Sequence, residues 1–301
     1  MPGLNHLLSA IHRTATGIRN FAFERHLLQP RRLKTPVISV GNLSVGGTGK
    51  TPICIYLHDQ LTRAGLNPSI LLRGYSIGGI CDEARLYQEK FNSAKVFIGS
   101  DRFSSGQKAE ADGFNVQILD DGFQHRKLHR DCDIVLIDCS EEPNSWFREG
   151  FGSLHRASII LLTRAEAGPF RRITRRLARF PNVPVFKVQF TPTRQLGSKK
   201  VFAFCGIGNP KSFLHTIDRA DGHLCGSRFF RDHHEYTEDE LAGLRESADQ
   251  YHADLLLTTE KDLVRISDEI VKRLCIQSLP IQVEIDQGFM QAVCHQLGAR
   301  I

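Results

Sequence analysis

Short apolar runs recur along the chain at residues 36–40, 70–72, 96–98, 116–119, 134–137, 159–162, 185–188, 201–204, 255–257 and 281–285. Most are nearly continuous rather than alternating, the pattern of strands buried on both faces. Helical spacing fills several of the gaps, at residues 53–64, 103–112 and 167–179. Strands alternating with helices predict an α/β fold built on a parallel sheet flanked by helices. The proline-rich polar segment 191–198 reads as a hinge. It divides a core, 36–192, from a second, smaller α/β lobe, 193–301, and leaves a cleft between them for two substrates.

Composition changes this picture little. A chain of 301 residues, 41% apolar and 24% charged, has room for one large or two modest soluble domains. Its net charge of +6 suits nucleic acid, anionic lipid or a phosphorylated substrate without choosing among them. The eight cysteines form no C-x-x-C pair and no zinc spacing. Several, such as Cys54 and Cys205, sit in apolar runs and read as reduced, small hydrophobes. No run approaches the roughly 18 apolar residues of a membrane span, and no signal peptide is evident. Residues 1–35 do stand out, interleaving Leu7, Leu8, Ile11, Ile18, Phe21, Phe23, Leu27 and Leu28 with Arg13, Arg19, Arg25, Arg31, Arg32 and Lys34. Such a basic amphipathic segment suits a membrane interface, and equally a helix packed on the domain.

The strongest chemical signal is Val40-Gly41-Asn42-Leu43-Ser44-Val45-Gly46-Gly47-Thr48-Gly49-Lys50-Thr51-Pro52, between a β-branched run and an amphipathic segment. Strand, glycine-rich loop and helix in that order are the context of a phosphate-binding loop, where backbone N–H groups and a helix N-terminus surround a polyphosphate, although glycine-rich turns ending in Lys also occur in plain strand–helix connections. Lys50 reaches the terminal phosphates and the Thr51 hydroxyl suits Mg²⁺. Ser44 stands where the common pattern has its first glycine. The run ending in Asp120-Asp121-Gly122 places carboxylates at a strand end, where phosphate-loop enzymes hold Mg²⁺, although it also suits a surface turn. Adjacent strand residues point to opposite faces, so the two carboxylates share a metal only if the strand has ended. Asp82-Glu83 suits either a base for an attacking hydroxyl or a helix cap. Asp232-His233-His234-Glu235 suits proton transfer or a surface turn better than zinc. Thr259-Glu260-Lys261-Asp262 suits a helix cap or a cleft-facing group.

Together these segments, from about Pro36 to Asp262, resemble the tetraacyldisaccharide 4′-kinase family, the lipid A 4′-kinases of Gram-negative bacteria. The loop is similar to V-G-N-[LI]-[ST]-x-G-G-[TN]-G-K-T-P, in which Ser or Thr replaces the usual glycine. Leu72-Arg73-Gly74-Tyr75 is similar to S-R-G-Y, Asp82-Glu83 to the acidic pair of G-D-E-P, and Gly99-Ser100-Asp101-Arg102 to the turn with Arg that follows. Leu119–His125 with Arg130-Asp131 matches L-D-D-G-F-Q-H…R-D, and Arg148-Glu149 falls at R-E-P. Phe204–Pro210, Asp232-His233 and Thr259–Asp262 match F-C-G-I-G-x-P, D-H and T-E-K-D.

The resemblance implies a P-loop NTPase-like kinase that moves the γ-phosphate of ATP to the 4′-hydroxyl of a tetraacylated glucosamine disaccharide 1-phosphate. Lys50 and the loop from Ser44 through Val45, Gly46, Gly47, Thr48 and Gly49 would cradle the phosphates. Thr51, Asp120 and Asp121 would organise Mg²⁺. Asp82 would be the base, with His233 raising its basicity or relaying the proton. Glu83 and Glu149 would lie near metal or acceptor, and Arg73, Arg102 and Gln124 would hold phosphate or sugar. The resemblance also implies an anionic membrane surface as partner, no nucleic acid, and a peripheral place on the cytoplasmic face of the inner membrane. Cys81, Ala84, Gly150 and Ser76 depart from the family's pattern at backbone-shaping positions. Two rivals are a partitioning-type ATPase, opposed by Val45 where that class has a lysine, and a non-catalytic ATP sensor.

Overall fold

The computed structural model describes residues 19–25, 27–44, 46–74, 82–91, 95–140, 149–166 and 170–298. Residues 1–18 and Val45, Tyr75, Ser76, Cys81 and Arg148, all used above, lie outside these. The strands β1 (Val37–Asn42), β4 (Val116–Asp120), β5 (Cys132–Asp138) and β6 (Ile159–Thr163) are buried at every position. They form the middle of an eight-stranded sheet with β2 (Pro68–Leu72), β3 (Val96–Ile98), β7 (Val185–Pro192) and β12 (Ile281–Ile285). The order is β12-β7-β6-β5-β1-β4-β2-β3, and every pairing is parallel except the edge pair β12–β7. Continuous apolar runs form these central strands because helices cover both faces. On one face Ile53, Leu57 and Leu61 of α1 (Lys50–Arg63) pack with Ala84 and Tyr87 of α2 (Asp82–Phe91). Ala109 of α3 (Arg102–Ala111) belongs to a separate cluster with Val37, Leu71 and Leu119. Ile173 and Leu177 of α4 (Phe170–Leu177) and Leu154 of a 3-10 turn (Phe151–Arg156) pack against Ile160 and Leu162.

A second sheet, in the order β11-β10-β8-β9, is parallel throughout. It comprises β8 (Lys200–Cys205), β9 (His223–Phe229), β10 (Leu255–Thr258) and β11 (Ile276–Ser278). The helices α5 (Pro210–Arg219) and α6 (Glu238–Gln250) contribute to separate hydrophobic clusters on this sheet. The short α7 (Glu260–Leu263) and α8 (Asp268–Arg273) follow β10. All ten apolar runs in the sequence become strands. The two additional strands escape the pattern for opposite reasons. β9 is largely exposed and mixed in character, while β11 has only three residues.

Two expected boundaries change. The stretch 193–301 does not stay in one lobe, because β12 returns to pair with β7. The helix α9 (Phe289–Leu297) then buries Phe289, Val293 and Leu297 in the first core beside α1. Hydrophobic burial on the large sheet therefore holds residues 281–297 in the first lobe. The expected membrane-associating segment 1–35 also ends too late. Leu33 is 3% exposed and packs against Gly106, where a Cβ would collide with it. Thr35 donates through its N–H and hydroxyl to Glu110, at 2.7 and 2.9 Å. Arg31 pairs with Asp101 and lies over the Phe103 ring, and Arg32 pairs with Asp131. Leu33 is thus buried in the first lobe, and its neighbours are tied to that lobe by hydrogen bonds and ion pairs.

This division is testable by urea unfolding. Leu33→Ala is expected to cost about 2–4 kcal/mol. Leu27→Ala, at a side chain 73% exposed, should change stability by less than about 0.5 kcal/mol. Equal effects would return residues 31–35 to the peripheral segment.

Candidate active site

The loop between β1 and α1 meets the second lobe directly. Gly46 and Gly49 adopt φ values of 137° and 94°, which favour glycine, and a Cβ on Gly49 would collide with the Phe190 ring of β7. Asn42 Nδ2 donates to Thr48 Oγ1 at 2.9 Å and fixes the loop from inside. Pro52 sits in the first turn of α1, where a missing N–H costs little. Across the cleft, the residues after β8 form a second glycine-bearing loop leading into α5. Asn209 caps that helix by accepting from the Ser212 N–H, with Pro210 at its first position. The two loops nearly touch, since a Cβ on Gly208 would lie 2.6 Å from the Gly47 nitrogen. Arg164 joins the same contact. It donates to the Gly47 carbonyl at 2.8 Å and pairs with Asp138 at the end of β5.

β4 ends at Asp120, and Asp121 has a left-handed backbone with φ 52°. The strand has therefore ended, and the two carboxylates line one cleft with Lys50 and Thr51. Lys50 Nζ lies 3.4 Å from Asp121 Oδ1. The hydroxyl of Tyr87, on α2, donates to Asp120 Oδ2 at 2.8 Å, while Asp120 Oδ1 is buried without a hydrogen-bond partner. Burial pushes the Asp120 carboxyl up to about 6, against the pull of Lys50 and with a further push from Asp121. A buried carboxylate oxygen with an open lone pair suits a divalent cation. Mg²⁺ commonly takes one or two carboxylates and completes its octahedron with phosphate oxygens and waters, so Asp120, Asp121 and Thr51 fit that ion.

Asp82 and Glu83 start α2, so they are both a helix-starting acidic pair and cleft-lining groups. Their partners come from the second lobe. His233 Nδ1 lies 3.1 Å from Asp82 Oδ2, and Arg265 Nε donates to the same oxygen at 2.7 Å. Burial alone would raise the Asp82 carboxyl. Hydrogen bonds from His233 and Arg265 and the charge of both outweigh it and hold Asp82 below its ordinary value. Glu83 Oε1 lies 3.2 Å from Lys261 Nζ and 3.8 Å from His233 Nε2. His233 has a φ of 59°, a left-handed conformation costly for a residue other than glycine. Its N–H donates to the Gly206 carbonyl, which helps hold it there.

The structure brings Lys50, Thr51, Arg73, Asp82, Glu83, Asp120, Asp121 and His233 to one cleft. Three residues expected at the substrate are not among those lining it. Arg102 is 4% exposed and donates to the Ser100 carbonyl. Gln124 donates to the Asn42 carbonyl and braces β1 behind the loop. Glu149 forms a buried ion pair with Arg156, whose guanidinium lies over Phe123. His234 is likewise structural, stacking on Phe230 and lying 3.0 Å from Glu240. Pattern reading missed Arg265 altogether, and with it the part played by Asp262. Asp262 is fully buried and accepts from Arg265, Tyr236, Thr259 and the Gly206 N–H. Arg265 lies three residues beyond the T-E-K-D segment, at helical spacing from Asp262, and that spacing was its only local signal.

Comparison with known proteins points to one family. The sequence profile described as Tetraacyldisaccharide-1-P 4'-kinase matches residues 4–298. A protein named Tetraacyldisaccharide 4'-kinase from Syntrophobacter fumaroxidans is 34% identical over 325 residues, covering 93% of this chain and 85% of its own. One of the same name from Koribacter versatilis is 34% identical, with 89% of each chain covered. The crystal structure of LpxK from Aquifex aeolicus in complex with ATP superposes with a TM-score of 0.72 at 26% identity, over 97% of this chain and 98% of its own. With phosphate loop, paired carboxylates and a cross-lobe cluster in one cleft, and with matches along almost its whole length, the chain belongs to the tetraacyldisaccharide-1-P 4'-kinase family.

Proposed function

We propose that this protein is an ATP-dependent kinase that transfers the γ-phosphate to the 4′-hydroxyl of a tetraacyldisaccharide 1-phosphate. One observation carries the reading: Asp82 and His233, from different lobes, meet in the cleft that holds Lys50, Asp120 and Asp121. Phosphoryl transfer asks for positioning, charge neutralisation and a proton acceptor on the attacking hydroxyl. The loop amides and Lys50 hold the phosphates of ATP. Asp120, Asp121 and Thr51 would hold Mg²⁺, which when bound neutralises charge on the β- and γ-phosphate oxygens. Asp82 accepts the proton of the acceptor hydroxyl, and His233 Nδ1 at its side shares it. With His233 and Arg265 holding its pKa low against burial, Asp82 is ionised and ready to accept near neutral pH, at some cost in intrinsic basicity. Arg73, Glu83 and Lys261 line the cleft and are placed to orient the acceptor. Among the described residues no helix is long and apolar enough to cross a membrane. Peripheral association with the cytoplasmic face of the inner membrane fits an amphiphilic acceptor.

Incubation with γ-labelled ATP, Mg²⁺ and tetraacyldisaccharide 1-phosphate in detergent micelles should give a labelled bisphosphorylated lipid. Lys50→Ala should abolish the product. ATP binding without product would favour the sensor.

Asp120 gives a signed pH test. Its carboxyl rises from 3.8 to about 6 on folding, so the protonated form is favoured in the folded state. That contribution is whole below pH about 4 and is lost as pH rises through about 6. Asp120→Asn should therefore lose transfer activity yet melt about 3–6 °C above wild type at pH 8 in metal-free buffer. The gap should close toward pH 4; a constant gap would sink the buried-charge account.

Asp82 shifts the opposite way. Arg265→Gln removes a cation from its carboxylate, so its pKa should rise and the acid limb of kcat/KM should move to higher pH. The loss of positioning should lower kcat by about tenfold or more. An unmoved acid limb would mean that Asp82 is not the group titrating.

A further inference from the structure

The helix α4 and the residue pair after it carry Arg171, Arg172, Arg175, Arg176 and Arg179, and all five are exposed. Successive helical residues advance by about 100°, so these five guanidinium groups share an arc of about 140°. Ile173 and Leu177 occupy the opposite side and are buried against the large sheet. From Ala167 to Ile217 the chain carries no acidic residue. Arg171 stands at the positive end of the helix and Arg175 and Arg176 in its last turn, where the dipole favours cations, while like charges four residues apart repel by about 0.2–0.5 kcal/mol per pair.

The cationic face is not isolated. Arg176 lies over the Phe151 ring of the 3-10 turn, and His155 of that turn lies 3.8 Å from Glu24. Glu24 belongs to the helical stretch 19–24, so α4 and that stretch flank the same turn. Phe21, Leu27 and Leu28, on or just after this stretch, are 54%, 73% and 45% exposed. Cationic groups and large apolar groups on two elements that flank one turn match a surface that is anionic outside and apolar beneath.

We propose that α4 is an electrostatic docking face for an anionic phospholipid bilayer, with Arg171, Arg175 and Arg179 meeting the headgroups and Phe21, Leu27 and Leu28 entering beside them. The apolar side of α4 is already committed to the core, so the helix contributes by charge and not by insertion. Nucleic acid would use the same cations but gives no reason for exposed aliphatic groups at their edge. The inference adds a second element to peripheral association and does not depend on which lipid is phosphorylated.

The test is sedimentation of the full chain with vesicles of phosphatidylcholine alone, or with about 30% phosphatidylglycerol, at low and high salt. Wild type should bind the anionic vesicles at low salt and lose affinity as salt rises, since the Debye length falls from about 10 Å at 0.1 M to about 3 Å at 1 M. The combined variant Arg171→Gln, Arg175→Gln, Arg179→Gln should bind anionic vesicles at least about tenfold more weakly at low salt. Its melting temperature should stay within about 3 °C of that of wild type, because the repulsion removed and the helix-end attraction lost are of similar size. Unchanged vesicle binding by this variant would overturn the proposal. So would a loss confined to a fluorescent single-stranded oligonucleotide, which would make the face a nucleic-acid surface. The micellar kinase assay is read separately: absent transfer with intact vesicle binding defeats the kinase reading alone, and normal transfer with unchanged vesicle binding defeats this one alone.

Discussion

A fully buried carboxylate must be compensated, and much of the cleft geometry follows from how Asp262 is. Four donors outside its own main chain converge on it: Arg265, Tyr236, Thr259 and the Gly206 N–H. Removing one partner of a buried charge is costly because the other is left unpaired. Arg265 is thereby held with one edge on Asp262 and the Gly206 carbonyl, leaving its Nε directed at Asp82. The same Gly206 carbonyl accepts from the His233 N–H and helps keep that residue left-handed. One satisfied charge in the second lobe thus presents both partners to a carboxylate of the first.

The two key carboxylates of the cleft show how environment separates chemically identical groups. Asp120 ends a central strand among Cys54, Tyr87 and the core, and burial raises it to about 6. Asp82 begins a helix at the cleft, and its cationic and imidazole partners overcome burial and lower it. Divergent shifts of paired carboxyl groups are a way of assigning different tasks at one pH. Here they separate a carboxyl held toward its neutral form from one held ionised.

The lobes also share a construction. In each, a parallel strand ends in a glycine-bearing loop and a helix begins at the cleft, β1 to α1 in one and β8 to α5 in the other. Ligands of open parallel sheets bind outside the carboxyl ends of the strands, and apposing two such ends gives a cleft bounded by both. The departures at Ala84 and Gly150 leave this arrangement in place. Ala84 is buried on the core side of α2, and Gly150 caps the 3-10 turn.

The sequence alone determined whatever depends on neighbours along the chain. Continuous apolar runs marked ten strands, the order of strand, glycine loop and helix marked the phosphate site, and Asp120-Asp121 marked a strand end. These are legible because periodicity and turn chemistry are local. Only the tertiary structure decided that Arg265 meets Asp82 across 183 positions, that residues 281–297 return to the first sheet, and that Gln124 and Glu149 brace the structure outside the cleft. Such pairings have no sequence period. They are set by which charges and apolar faces remain to be satisfied once two sheets have packed, and a motif records a residue's type without recording what will stand opposite it.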